Sequence, residues 1–467
     1  MRSKKSFFVL IIALVVIVGA YLLVDTFVEK EDTRPIPLDD KIGTADTLTP
    51  LVTIDRTSVK SISYTSLDMK HTFTMEDGIW IYEEHRDYPL YQAYINNLLT
   101  AVSNINYTRM FTDNAEITEY ANFDEPLCDI GVTYTDGSTA HYKIGTLNPT
   151  TKTYYFQIEG DPAVYMVKED AMAAFFKTIY ELSIPEELPQ IGSNELTALE
   201  IIKPGSNLKF SKVEPEDGDF YTDTILWKSV ENGVIRPADG TAVLIFTNDL
   251  FTVVLRNLVG YTDFASTKLE DFGLDEPSCI YRVHTADGPV MGLVMGDTTD
   301  EGRIYFMLEG SKFIYECTTT FAEKLVNDDV LDFLPASVCS IGLDEIIYAD
   351  VTIEGETHTL TVENGGDEAT YRVDGTEVPH IPVANFIIEM TAMIAADTIE
   401  DSSAYQDEPY LTIDFVRNTE KFSNMTLKFI PYDINYYLVE FNGMRNILVT
   451  KRDVEELAAT FKVLLDL

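Results

Sequence analysis

Cysteine, tryptophan and histidine are scarce in this 467-residue chain, with 4, 2 and 6 copies, and 34 basic residues face 77 acidic ones. Each shortage removes a class of function. The histidines (His71, His85, His141, His284, His358 and His380) include no H-E-x-x-H pair, and no cysteine spacing fits zinc or redox chemistry. No G-x-S-x-G elbow, Walker loop or G-x-G-x-x-G turn occurs, so hydrolase and nucleotide-binding signals are missing, and no catalytic residue, cofactor or metal is expected. A net charge of −43 repels nucleic acid and anionic headgroups, and excludes phosphate-backbone binding as the main task. Cationic peptides, polyamines, divalent ions or a basic patch on a partner would be tolerated. The acidic loops at 214–223 and 296–302 lack the alternating order of a twelve-residue calcium loop, and they read as solvated turns with weak divalent binding left open.

What is present is a repeat. YANFDEP (residues 120–126), DFGLDEP (271–277) and AYQDEP (404–409) each precede an alternating strand pattern. From Asp124 to Gly160, Asp275 to Gly310 and Asp407 to Gly443 the spacing is 36, 35 and 36 residues. Held register of this kind marks duplication more firmly than shared letters. Four residues past each glycine stands an apolar strand centre, Val164, Ile314 or Ile447, and a helical tract follows with Phe175, Leu325 or Leu457. Upstream, HTFTME (71–76) matches HTLTVE (358–363), which places His71 and His358 at surface or edge positions. Trp80 and Trp227 end strands ahead of Pro89 and Pro237, with Tyr371 and Pro382 in the comparable places of the third copy.

The corners themselves, Asp124-Glu125-Pro126, Asp275-Glu276-Pro277 and Asp407-Glu408-Pro409, have a structural rationale. Proline drives the preceding residue toward extended geometry, and the aspartate can bond nearby amides in an Asx-type turn. Three copies in one slot argue for architecture, since a reaction rarely needs three identical corners. Cys128 and Cys279 follow their corners by the same interval as Leu411, so this is an apolar core slot with buried, unreactive thiols. A Cys279–Cys317 bridge within the second unit is conceivable.

The fold class expected is α+β: a single N-terminal transmembrane helix, then three tandem units of antiparallel β-meander packed with helices. Residues 1–6 form a basic cytoplasmic tip, and 7–24 form an uninterrupted apolar run of 18 residues, near the lower limit for spanning a bilayer. The basic tip puts the rest outside the cell. A cleaved signal peptide is the rival, and the absence of a cysteine after the run argues against a lipid anchor. Residues 25–50 are a polar stalk, and the units span 51–190, 191–336 and 337–467, with 185–192 linking the first two. Helices are expected after Pro89 (apolar face Tyr91, Ile95, Leu98, Leu99, Val102 and Ile105), over 241–258 and over 382–396. Closing helices are expected over 169–180, 321–333 and 452–465.

The G-x-W strand end (Gly78-Ile79-Trp80), FGLDEP (272–277) and IYFMLEG…FIYEC (304–317), behind an N-terminal anchor, resemble the bacterial family of domain of unknown function 4340. The resemblance takes in nearly the whole chain past the stalk, more loosely in the third unit. It implies proximity to ABC-type transporters of the gliding-motility or auxiliary kind, and so a non-enzymatic accessory or scaffold role beside transporter subunits at the cell membrane. It brings no catalytic residues. The alternatives from composition are a cell-envelope glycan hydrolase using paired carboxylates and a surface adhesion module.

Overall fold

A computed structural model describes residues 48–467 apart from 67–68, 113–114, 223, 326–327 and 365–368. The expected tip, the apolar run 7–24 and the stalk up to residue 47 lie outside the described residues. Among the described residues no helix is long and apolar enough to cross a membrane.

The chain is mostly β. The first repeat supplies β1 (Thr49–Thr53), β2 (Val59–Ser66), β3 (Met69–Glu76), β4 (Ile79–Tyr82), helix α1 (Gln92–Ser103) and β5 (Asn104–Phe111). It continues with helix α2 (Ala115–Ala121), β6 (Cys128–Tyr134), β7 (Thr139–Asn148), β8 (Thr153–Ile158), β9 (Val164–Lys168) and helix α3 (Glu169–Met172). The second has β10 (Ala198–Lys203), β11 (Ser206–Lys212), β12 (Trp227–Glu231), β13 (Val234–Ala238), α4 (Gly240–Leu250) and β14 (Leu258–Tyr261). Then come β15 (Cys279–Thr285), β16 (Gly288–Thr298), β17 (Ile304–Leu308), β18 (Phe313–Glu316) and α5 (Thr319–Lys324). The third has β19 (Ile346–Ile353), β20 (Glu356–Glu363), β21 (Thr370–Val373), β22 (Thr376–Val378), α6 (His380–Ala392) and β23 (Asp397–Thr398). It ends with β24 (Leu411–Arg417), β25 (Asn424–Pro431), β26 (Tyr436–Phe441), β27 (Met444–Thr450) and α7 (Lys451–Leu465).

These strands make three nine-stranded antiparallel sheets of one design. The second runs β13-β12-β11-β10-β15-β16-β17-β18-β14 and the third β22-β21-β20-β19-β24-β25-β26-β27-β23. Read the same way, the first runs β4-β3-β2-β6-β7-β8-β9-β5-β1. In each, the strand after the helix returns to the far edge beyond the downstream meander. The first sheet lacks the fourth upstream strand and gains β1 at the opposite edge, so Thr49 and Pro50 are strand rather than stalk. By internal contacts the chain divides into two compact bodies, one ending at Lys70 and resuming over Asn97–Phe176, the other comprising His71–Asn96 and Lys177–Leu467.

Slot by slot, the duplication is visible in side chains. Cys128, Cys279 and Leu411 each open the first downstream strand and are buried. Trp80, Trp227 and Tyr371 pair with Met75, Lys212 and Val362 at one register position. All three rings are buried, and they sit near the start of their strands, not at the end. Each meets the first residue of the following helix. Gln92 brackets the Trp80 backbone with bonds of 2.8 and 3.0 Å, a Cβ on Gly240 would collide with the Trp227 indole, and His380 lies 5.4 Å from the Tyr371 ring.

The helices depart from expectation in instructive ways. The closing tract at 169–180 is one turn of α-helix followed by 3-10 turns at Ala173–Phe176 and Ile179–Leu182. The 319–333 tract is likewise split. Helix α4 stops at Leu250, and residues 251–257 are turn and coil leading into the edge strand β14, so only the first part of the run 241–258 is helix. Ile105 belongs to β5, Tyr91 precedes α1, and α6 begins after Pro379, which leaves Pro382 inside its first turn where a missing amide costs nothing. Pro237 lies in β13, and Asp239 caps α4 by accepting from the Thr241 amide.

Candidate binding groove

The corner residues do not converge. Each Pro stands two residues ahead of its sheet's first downstream strand, and the six corner carboxylates Asp124, Glu125, Asp275, Glu276, Asp407 and Glu408 are exposed, one pair per sheet. Among the described residues none of the three aspartates accepts a neighbouring amide, so the expected Asx-type bond is not what shapes the turn. A backbone contact does so in the first two repeats. The carbonyls of Ala121 and Phe272, each three residues before the aspartate, lie so close to Gly145 and Gly296 that any Cβ there would clash. β7 and β16 break register at those glycines, with bulges between Ile144 and Leu147 and between Met295 and Thr298. In the third repeat Lys428 fills the slot, β25 and β26 pair from Leu427 to Pro431 without a break, and Lys428 reaches Glu440 at 2.7 Å.

Other expected features are displaced from the surface. His71 is 2% exposed, with Nδ1 3.1 Å from the Tyr82 hydroxyl, and burial pushes its pKa below the ordinary value. Only His358 of the pair is partly open, bonded to Asp374 at 2.7 Å. The cysteines are all free and buried, including Cys279 and Cys317. Burial raises the Cys279 thiol to about 11 and the Cys339 thiol to about 12, too high for a nucleophile at neutral pH. Among the described residues no group of three or more His, Cys, Asp or Glu side chains is placed to hold a metal ion.

One polar cluster was not legible in advance. Asp328 accepts from Tyr281 Oη at 2.7 Å and from Lys203 Nζ at 2.6 Å, beside Cys279. The register equates Tyr281 with Ile130 and Ile413, and Lys203 with Ser66 and Ile353. The second repeat alone has thus traded an apolar slot for a closed ion-pair network, which holds the Asp328 segment down on the sheet.

The open site is a groove of about 1050 Å³ in the larger body. It forms where the chain leaves the first repeat. The Ile184 amide bonds Pro89 O at 2.7 Å and the Tyr91 amide bonds Leu182 O at 2.8 Å, after which residues 185–191 run without regular structure. Prolines 185 and 189 keep this linker extended and remove two donors. Glu186 pins it by accepting from Tyr315 Oη at 2.7 Å and Ser311 Oγ at 2.9 Å. Beneath, Tyr88 packs 4.9 Å from Tyr261 and 5.3 Å from Phe264, which fixes the walls. Burial would push the Glu181 carboxyl up, but the Thr178 amide and Lys177 outweigh it and hold it below the usual range. Lys177 pairs with Glu181 at 3.1 Å and lies 5.9 Å over the Tyr94 ring. Tyrosine faces (Tyr94, Tyr180, Tyr315), aliphatic Val253 and Val254, and the carboxylates Glu186 and Glu187 line one trough. Such a lining can hold an extended chain by stacking and by rim charge; it does not set out an acid–base pair.

The linker has a counterpart. Pro185, Ile191, Gly192 and Glu195 recur at the same spacing as Pro335, Ile341, Gly342 and Glu345. That match is present in the sequence; the openness of one copy is not. No curated protein and no solved structure matches the chain. Residues 80–234 match the family described as Domain of unknown function (DUF4340), while FGLDEP and the 304–317 stretch fall outside the match. This segment runs from the tryptophan slot of the first repeat past that of the second and holds the linker of the groove, and over it the chain is similar to the DUF4340 family.

Proposed function

We propose that the protein is a non-enzymatic scaffold of a membrane transport complex, tethered through residues 7–24 with its three repeats outside the membrane. The observation carrying this reading is the threefold use of one sheet order with no shared chemical centre: the carboxylate corners stand one per sheet and exposed. Repeated modules of this kind extend a surface, and surface is what an accessory subunit needs. The apolar run supports a tether, and the acidic surface supports contact with a basic partner. A glycan hydrolase would need two carboxylates across one cleft; in the groove Glu186 is already engaged by two hydroxyls and Glu181 by Lys177.

The test is purification of the tagged full chain from native membranes, followed by mass spectrometry. The reading expects transporter subunits to co-purify and expects deletion of 7–24 to move the chain to the soluble fraction. Recovery of the chain alone, at full occupancy of the tag, would remove the scaffold role.

A further inference from the structure

The two linkers meet opposite fates. In the first, residues 185–191 border the groove of about 1050 Å³; in the second, Val338, Cys339 and Ile341 are buried and the corresponding space shrinks to about 10 Å³, room for roughly one water. The correspondence is geometric as well as sequential. Glu186 touches Ser311 and Tyr315 after the Gly310 turn, and Pro335 and Ser337 line the residual space with Met444 and Ile447 after the Gly443 turn. Across the second junction lies a strap between β11 and β12, residues 213–222 and 224–226, from which Phe220 and Ile225 line the residual space. Phe220 packs against the third core, Asp217 accepts from the Phe422 amide, Asn442 Nδ2 donates to Asp219 O at 3.0 Å, and Lys421 reaches Glu216 at 3.3 Å. The acidic residues Glu214, Glu216, Asp217 and Asp219 are exposed, as a solvated turn would be, while Phe220, Thr222 and Ile225 after them turn inward. In the first repeat the same connection, β3 to β4, is the tight turn Asp77-Gly78 with φ of 48° and 86°. Among the described residues no segment takes the strap's place at the first junction.

We propose that the first-junction groove receives an extended basic segment of a partner protein, led by an aromatic side chain, in the place the strap takes at the second. The aromatic follows from Phe220 and from the tyrosine faces of Tyr94, Tyr180 and Tyr315. The basic character follows from charge. Lys177 is neutralised by Glu181, Glu186 and Glu187 remain along the linker against Arg256 on the opposite wall, and the chain as a whole is at −43. The strap's own partner Lys421 sits in the β24–β25 turn, whereas the matching β15–β16 turn carries Asp287, so the acidic strap chemistry is not repeated there. The inference deepens the scaffold reading and rests on it for the identity of the partner as a protein.

The probe is a fluorescein-labelled peptide with the strap sequence of residues 214–225, its acidic residues replaced by lysine, titrated against the full chain by anisotropy. Two controls are the unaltered acidic strap peptide and the basic peptide with its Phe-Tyr pair changed to Ala-Ala. The groove assignment expects saturable binding of the basic aromatic peptide and at least about tenfold weaker binding of each control. It also expects a loss of about tenfold or more in Val254→Arg, whose wild-type side chain is 51% exposed, so that the melting temperature should hold. Failure of the wild-type chain to bind at millimolar peptide, equal binding of the acidic peptide, or full binding by Val254→Arg would overturn it. Co-purification from the same membranes separates the two ideas: partners retained while the peptide fails leave the scaffold standing and the groove assignment refuted.

Discussion

The two junctions of the larger body start from linkers with the same four landmark residues and end as opposites. In the second, Val338, Cys339 and Ile341 joined the core: the Val338 amide donates to Met393 O at 3.0 Å, and Arg417, 4% exposed, reaches the Glu345 carboxylate at 2.6 Å. Pro185 to Ile191 stayed at the surface, and Glu195, the counterpart of Glu345, only accepts the Gly192 amide at 2.6 Å. A third element, the strap, lines the second junction, and the linkers differ as well, with Val338 and Cys339 where the first has Leu188 and Pro189. Burial of a connection in a repeat protein is decided by what neighbouring loops bring to it, because a linker with unsatisfied amides stays in water unless another segment covers it.

The sharpest way to break the comparison is to open the sealed junction. Replacing residues 214–224 with Asp-Gly should expose two or three apolar side chains and cost about 3–6 kcal/mol in urea unfolding. Cys339, now silent, should then react with a thiol reagent under native conditions. An unchanged midpoint with Cys339 still unreactive would mean the strap is not what seals the junction. Next in size is the paired substitution of the two glutamates. Glu345→Gln leaves Arg417 short of its charge partner; since Glu345 is itself 34% exposed, the expected cost is about 1–3 kcal/mol. Glu195→Gln should cost less than about 0.5 kcal/mol, and equal costs in the two would contradict the asymmetry. Tyr315→Phe removes one of two hydroxyls holding Glu186 and should cost about 1 kcal/mol or less, with faster amide exchange confined to the first linker.

A further small effect concerns pH. Burial holds the folded-state pKa of His71 below its unfolded value, with Glu84 opposing in part. The unfolded chain therefore binds the proton first, and stability falls as pH drops below about 6.5 toward the folded pKa. His71→Gln should flatten that slope by about 1 kcal/mol or less across pH 5–7. A steeper slope in the variant would reverse the assigned sign.

Much of the fold was legible because duplication imprints residue spacing. The corner-to-glycine intervals placed the downstream meanders, and the equivalence of Cys128, Cys279 and Leu411 foretold a buried slot. Helix ends were less legible. An apolar run such as 241–258 carries no mark of where helix gives way to strand, and the boundary is set by pairing of Leu258 with Tyr315. At the first two corners Gly145 and Gly296, 21 residues downstream of the aspartates, make room for the backbone, which the corner's own letters do not announce. The groove was not legible at all. Residues 214–219 are solvated as their acidic composition suggests, and only the contacts of Phe220, Asp217 and Asn442 reveal that the loop also reaches the third repeat while its counterpart is the short turn Asp77-Gly78.

Amide hydrogen exchange on the full chain reads both linkers in a single experiment. Amides at 186–188 and 190–191 should exchange at least about a hundredfold faster than those at 338, 339 and 341, which lie in a core that opens only with larger unfolding. Equal protection of the two segments in the unliganded protein would contradict an open first junction facing a sealed second one.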